Sequence, residues 1–279
     1  MALSLKTVEA ARGPRWIADA FRLFAKKPLA FTALFTVFLF GALVASLVPV
    51  LGALVQMMAL PLLGLGFMVA SQSALLGGPV HPKHFIEPLR TDAKRRRDLL
   101  VLCAIYGLLA IVILIIANEL SGSAWGRLQA LMAKGPEAQA EIDALMSEPG
   151  VASGALVAVV LGVALSIPFW HAPALVHWGG QGVAQALFSS TLAIWRSKAA
   201  FFAYGVGWML VIFIFAILTG LVFSLLGLGQ VAGVLGVPAG LIFSAVFYIS
   251  VLFSFNDSFG VTQIETLTVV GDDTPHNRD

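Results

Sequence analysis

Of the 279 residues in this chain, 59% are apolar and only 11% are charged, whereas an ordinary water-soluble domain carries about a quarter of its residues as charges. The formal net charge of +2 is too small to mean a nucleic-acid partner, and a single cysteine allows no intramolecular disulfide. The solvent such a chain expects is a bilayer, and no segment is left over for a separate soluble domain.

A spanning helix needs about 20 mostly apolar residues, because every backbone polar group must be satisfied within the segment. Six runs meet that condition: Leu29–Leu47, Leu51–Leu75, Leu99–Ala117, Val151–Phe169, Ala200–Leu226 and Val231–Phe255. The sequence therefore predicts an all-α, polytopic transmembrane helical bundle. It has a cytoplasmic N-terminus over residues 1–28, a six-span membrane domain over 29–255 and a cytoplasmic tail over 256–279. Fifteen of the 17 Lys and Arg residues fall on one side of these spans. By the positive-inside bias that side, with both termini, faces the cytoplasm. The opening does not read as a cleavable signal peptide, since its charged region is long and its first apolar run is of spanning length.

Before the first span, Pro14 suits a first helical position. Trp16, Ile17, Ala20, Phe21 and Phe24 then recur at helical spacing against Arg15, Asp19, Arg22 and Lys26. A short helix divided in this way lies in the membrane interface, and Lys26-Lys27-Pro28 ends it at the headgroups. Pro49 and Gly52 mark a charge-free turn between spans one and two, and Pro61, Gly64 and Gly66 predict a kink or a close helix contact in span two.

The following segment carries Pro79, Pro82 and Pro88 and reads as an irregular loop that ends in Arg95-Arg96-Arg97. The favoured reading of these arginines is topological anchoring; the sharper one is recognition of an anionic lipid headgroup. Cys103, inside span three, is a small packing residue. Residues 118–150 have a net charge of −3 and the pattern of two short amphipathic helices that cap the bundle, separated at Gly135-Pro136.

The fourth span ends in Trp170-His171-Ala-Pro-Ala-Leu-Val-His177-Trp178. Trp170 and Trp178 fit an aromatic belt, with His171 and His177 as headgroup neighbours, and each Trp shares a face with one His if the helix continues through Pro173. After it, Ala184, Leu187, Phe188, Thr191, Leu192 and Trp195 form a second stripe ahead of Arg196 and Lys198. Residues 192–202 match residues 21–31 in apolar, basic and aromatic positions at a constant offset of 171. Each copy leads into a span, a turn and a second span with a proline, Pro61 or Pro238, which gives a parallel internal repeat. Gly229, Gly233, Gly236 and Gly240 suit close helix approach in the last hairpin. The polar, acidic tail from Asn256 lacks the apolar content to order itself.

Chemistry is sparse. The middle of every span lacks Asp, Glu, Lys, Arg and His, which argues against a proton- or ion-coupled pump. Familiar hydrolase and nucleotide-binding motifs are missing, so no catalytic residues, no cofactor and no enzymatic activity are expected. His81 and His84 are the only histidines placed to join His171 and His177 in a metal site, and no carboxylate or thiolate completes the set, so no metal is expected. Gln56, Gln72, Tyr106, Tyr204 and Tyr248 read as helix-to-helix hydrogen bonders.

Arg12-Gly13, Trp16, Lys27-Pro28 and above all WHAPALVHW resemble an uncharacterised six-span inner-membrane protein family of proteobacteria. The resemblance implies an integral inner-membrane location and carries over no activity, substrate or catalytic residue. From the residues, the favoured expectation is a non-enzymatic component that engages membrane lipid, anionic lipid in particular, a protein partner or a second copy of itself. The alternative is a transporter or channel for an uncharged or lipid-like solute. The residues singled out for the interface are Arg95, Arg96, Arg97, Trp170, His171, His177 and Trp178.

Overall fold

A computed structural model describes residues 3–48, 51–226 and 235–260, all of whose regular structure is helical. Six helices are long and apolar enough to cross a membrane: α2 (Pro28–Ser46), α3 (Leu51–Leu75), α4 (Ala93–Leu120), α7 (Pro149–Phe169), α10 (Lys198–Leu225) and α11 (Gly236–Phe259). The short helices are α1 (Arg12–Lys26), α5 (Ala124–Ala133), α6 (Gln139–Met146), α8 (Ala172–His177) and α9 (Val183–Arg196).

α3 and α11 are the central pair, because both contribute to each of two cores. One core gathers Trp16, Phe31, Phe67, Tyr204 and Ile249 from α1, α2, α3, α10 and α11. The other gathers Leu65, Leu102, Phe169, Leu175 and Phe255 from α3, α4, α7, α8 and α11. Spanning helices gain little by hiding apolar surface from lipid tails, so close backbone approach and hydrogen bonds carry much of their association. Gly107 of α4 lets the backbone at Met58 of α3 come close, and Gly154 of α7 does the same for Ala117 and Ser121 at the end of α4. Two expected polar links form between helices: Gln56 Nε2 donates to the Ala42 carbonyl at 2.9 Å, and the Tyr204 hydroxyl lies 2.7 Å from Ser250 Oγ. Cys103 is buried.

Several boundaries move for local reasons. α4 starts at Ala93 because Asp92 caps it, its carboxylate accepting the Arg95 N–H at 3.0 Å, so the three arginines occupy helix rather than loop. The same N–H holds the Asp92 carboxyl below its ordinary range. Pro238 falls in the first turn of α11, where a proline removes no helical hydrogen bond, and so it does not break that span. Gly236 and Gly240 face open space, and the close approach expected of them is absent; Gly229 and Gly233 lie outside the described residues. Gly66 does make a close contact, but with Phe85 of a short 3-10 helix (Pro82–Phe85) between α3 and α4 rather than with another spanning helix. Helix α11 runs on to Phe259, so Asn256–Phe259 belong to the bundle, and the rest of the expected tail lies outside the described residues. α5 and α6 form as expected but pack mainly against one another, leaving Trp125 and Met132 64% and 65% exposed.

Candidate functional site

At the arginine-rich end of the bundle the chain is drawn together by polar contacts between distant segments. Pro173 cannot donate to the preceding turn, and helix geometry lapses at Trp170–His171, between α7 and α8. The break turns the two side chains inward. Trp170 packs edge-on to Phe201, Tyr204 and Phe247, and its indole N–H donates to Ser254 Oγ at 3.2 Å. His171 is fully buried among Phe201, Phe255 and Phe259, with Nε2 3.1 Å from the same Ser254 oxygen. Ser254 Oγ–H is directed at the Val251 carbonyl, so its lone pairs receive both ring N–H groups. The His171 backbone N–H donates to Ser190 Oγ, which fixes the break to α9.

His171 is therefore a structural hub and not a headgroup neighbour; complete burial separates it from lipid and water alike. The shared Trp–His faces are lost for the same reason, since they required an unbroken helix. Trp178, half-buried, packs tilted against Phe255, with the His177 ring beside it. Arg95 donates to the His177 carbonyl at 3.1 Å and pairs with Asp92 at 3.2 Å, so its guanidinium is held by protein. Arg96 and Arg97 are exposed on the same helical turn. The histidines do not assemble: His84 bridges Glu87 and the Pro79 carbonyl, His81 accepts the Lys83 N–H, and no metal-binding cluster of His, Cys, Asp and Glu occurs among the described residues.

A second constellation joins the two ends of the chain. One oxygen of Asp257 accepts Arg12 Nε and Trp16 Nε1, each at 2.7 Å. This contact holds the Arg12 guanidinium above its ordinary pKa. α1 lies in the groove between α10 and α11. Trp16 is completely buried against Phe201 and Tyr204, and Gly13 packs so tightly on the Ala200 carbonyl that no side chain fits there. The apolar stripe expected to face lipid is thus covered by protein. Ahead of α1 the chain crosses the end of α11 and the junction of α9 and α10, Lys6 N–H donating to the Ser258 carbonyl at 2.8 Å and Val8 N–H to Ser197 Oγ at 3.0 Å. Sequence reasoning placed Asp257 in a tail and missed the clamp. The available signal was its isolation, for no other acidic residue follows Glu148 until this one.

Between α7, α10 and α11 a lateral cleft of about 800 Å³ opens, lined by Gly162, Trp170, Gly205, Trp208 and Phe247 among others. A smaller cavity of about 220 Å³ near Pro61, Tyr106 and Tyr248 shares Ser166, Trp170 and Phe247 with it.

The chain is 31% identical over 268 residues to a probable inner membrane protein of Burkholderia thailandensis, an alignment covering 94% of this chain and 96% of that one. It belongs to that family of probable inner membrane proteins. No protein-family model matches the chain, and no solved structure matches it. With six spanning helices, this family member is an integral, multi-pass protein of the inner membrane.

Proposed function

We propose that this inner-membrane protein is a non-enzymatic component whose basic end faces the cytoplasm, together with both termini, and engages anionic lipid or a protein partner. The observation that carries this reading is the pair Arg96 and Arg97. They sit in the first turns of α4, exposed and without an ion pair among the described residues, while Arg95 beside them is held by Asp92 and His177. Cations near a helix N-terminus oppose the helix dipole, each at a cost of roughly 0.3–1 kcal/mol, so helix stability does not account for them. A negatively charged surface outside the chain would give them a role beyond topological anchoring.

Native mass spectrometry of protein extracted with its lipid tests this, wild type against Arg96→Gln/Arg97→Gln. Loss of a retained anionic lipid or partner from the variant supports the reading; an unchanged bound species reduces the arginines to topological anchors. A second reading, passage of an uncharged or lipid-like solute, is favoured by the lateral cleft. Uptake of such a solute into proteoliposomes, abolished when the cleft is filled, would put that reading first.

A further inference from the structure

The geometry points to the cleft between α7, α10 and α11 as the seat of one acyl chain of an anionic glycerophospholipid, with the phosphate held by Arg196 and Lys198. This deepens the lipid-engaging reading above and rests on it.

The cleft lies open to the side rather than sealed, and its lining is apolar and aromatic apart from a few hydroxyls. Along α7 and the residue after it the cleft runs from Ala158 to Trp170, about 18 Å at the helical rise, against roughly 15 Å for the hydrocarbon of one leaflet. Its volume is within the ordinary range of ligand pockets, about 300–1,000 Å³. At the basic end its wall contains Ile194 and Phe201, and the chain between these two residues carries Arg196 and Lys198. Neither cation forms an ion pair among the described residues; Lys198 Nζ rests 5.6 Å from the centre of the Trp195 ring. From Glu148 to Asp257 the sequence contains no acidic residue that could neutralise them. An apolar slot one leaflet deep, with two uncompensated cations at its rim and a tryptophan beside them, matches a phospholipid: tail, phosphate and interfacial aromatic in order.

Gly162 and Gly205 line the slot, and a Cβ added at either meets nothing within 4 Å. Gly162→Leu/Gly205→Leu therefore extends into the slot from two walls, and leucine favours the helix over glycine. Gly220→Leu on α10 also enters open space but away from the slot, and serves as the control. The full chain is reconstituted in nanodiscs containing phosphatidylglycerol with a photoactivatable group at the end of one acyl chain. Cross-links are expected to concentrate on α7, α10 and α11 around the slot, to fall at least fivefold in the filled variant with its thermal midpoint unchanged or raised, and to persist in the control.

In a second arm, Arg196→Gln/Lys198→Gln removes the preference for phosphatidylglycerol over phosphatidylcholine at the slot. Cross-links spread evenly around the bundle, or indifferent to filling, overturn the proposal. So does a dimer trapped through α10 by a bifunctional protein cross-linker, which would make a second copy the occupant. An unchanged headgroup preference in the second arm overturns the assignment of the phosphate. Running Arg96→Gln/Arg97→Gln in parallel separates the two ideas, because that variant tests the basic face and leaves the slot intact.

Discussion

α1 and α9 hold equivalent places in the two halves of the chain, each a short amphipathic helix ahead of a long span, at the offset of 171 seen in the sequence. Their apolar faces go opposite ways. α1 buries Trp16, Ile17, Ala20 and Phe24 against α10 and α11. α9 is held by its small residues Ala186, Ser190 and Ala193 against α7 and α8, and turns Phe188 and Trp195 outward, 68% and 71% exposed. Two things separate them: an acidic partner, Asp257, for the α1 indole, and a glycine, Gly13, where α9 has Ala184. A repeated pattern of apolar positions thus fixes that a helix is amphipathic, while polar partners and backbone clearance decide what it packs against.

The comparison can be broken by substitutions made in both helices. Trp16→Ala, the largest expected effect, should destabilise the folded protein by about 3–5 kcal/mol, as loss of a fully buried aromatic does, whereas Trp195→Ala should stay within about 0.5 kcal/mol. Thermal melts in one detergent compare the two; similar losses would erase the distinction. Next, Gly13→Leu must push α1 off the Ala200 carbonyl and cost about 1–3 kcal/mol or more, with Ala184→Leu near neutral. Asp257→Ala removes one acceptor shared by two donors and should cost about 2 kcal/mol, with α1 amides exchanging faster with deuterium while those of α9 do not.

The smallest effect calibrates the rest. Arg127 donates twice to Glu148, at 2.9 and 2.7 Å, at the far end of the bundle, and holds that carboxyl below its ordinary pKa. A depressed carboxylate contributes stability above its unfolded pKa, near about 4.3, and loses it as the pH falls through the lower folded value. The difference in thermal midpoint between wild type and Arg127→Gln should therefore be small at pH 7 and vanish on acidification; a difference that grew in acid would reverse the assigned sign.

The spans were legible because hydropathy over about 20 residues is a local property, and the short helices after Asn118 were local too; Gly52, expected in a turn, lies within α3, and Pro49 falls outside the described residues. What escaped depends on contacts between distant residues. The Trp–His pattern of 170–178 reads the same whether it meets headgroups or α11, and only Ser254, 83 positions from His171, decides for burial. The stripe of α1 looked membrane-facing since its cover, Tyr204 and Asp257, comes from the other half of the chain. Among the expected site residues, Arg96 and Arg97 keep the exposure their run implied; Arg95 differs because Asp92 and His177 reach only that member.

The clamp also sets an order of events during synthesis. Arg12 and its partner Asp257 are 245 positions apart. At ribosomal rates of about 5–20 residues per second, α1 waits roughly 12–50 s after emerging before its groove exists. An amphipathic helix left without its groove settles on the nearest apolar boundary, the bilayer surface. The lipid-facing character written in its sequence belongs to the nascent chain, and insertion of the last span converts a surface-bound helix into an internal one.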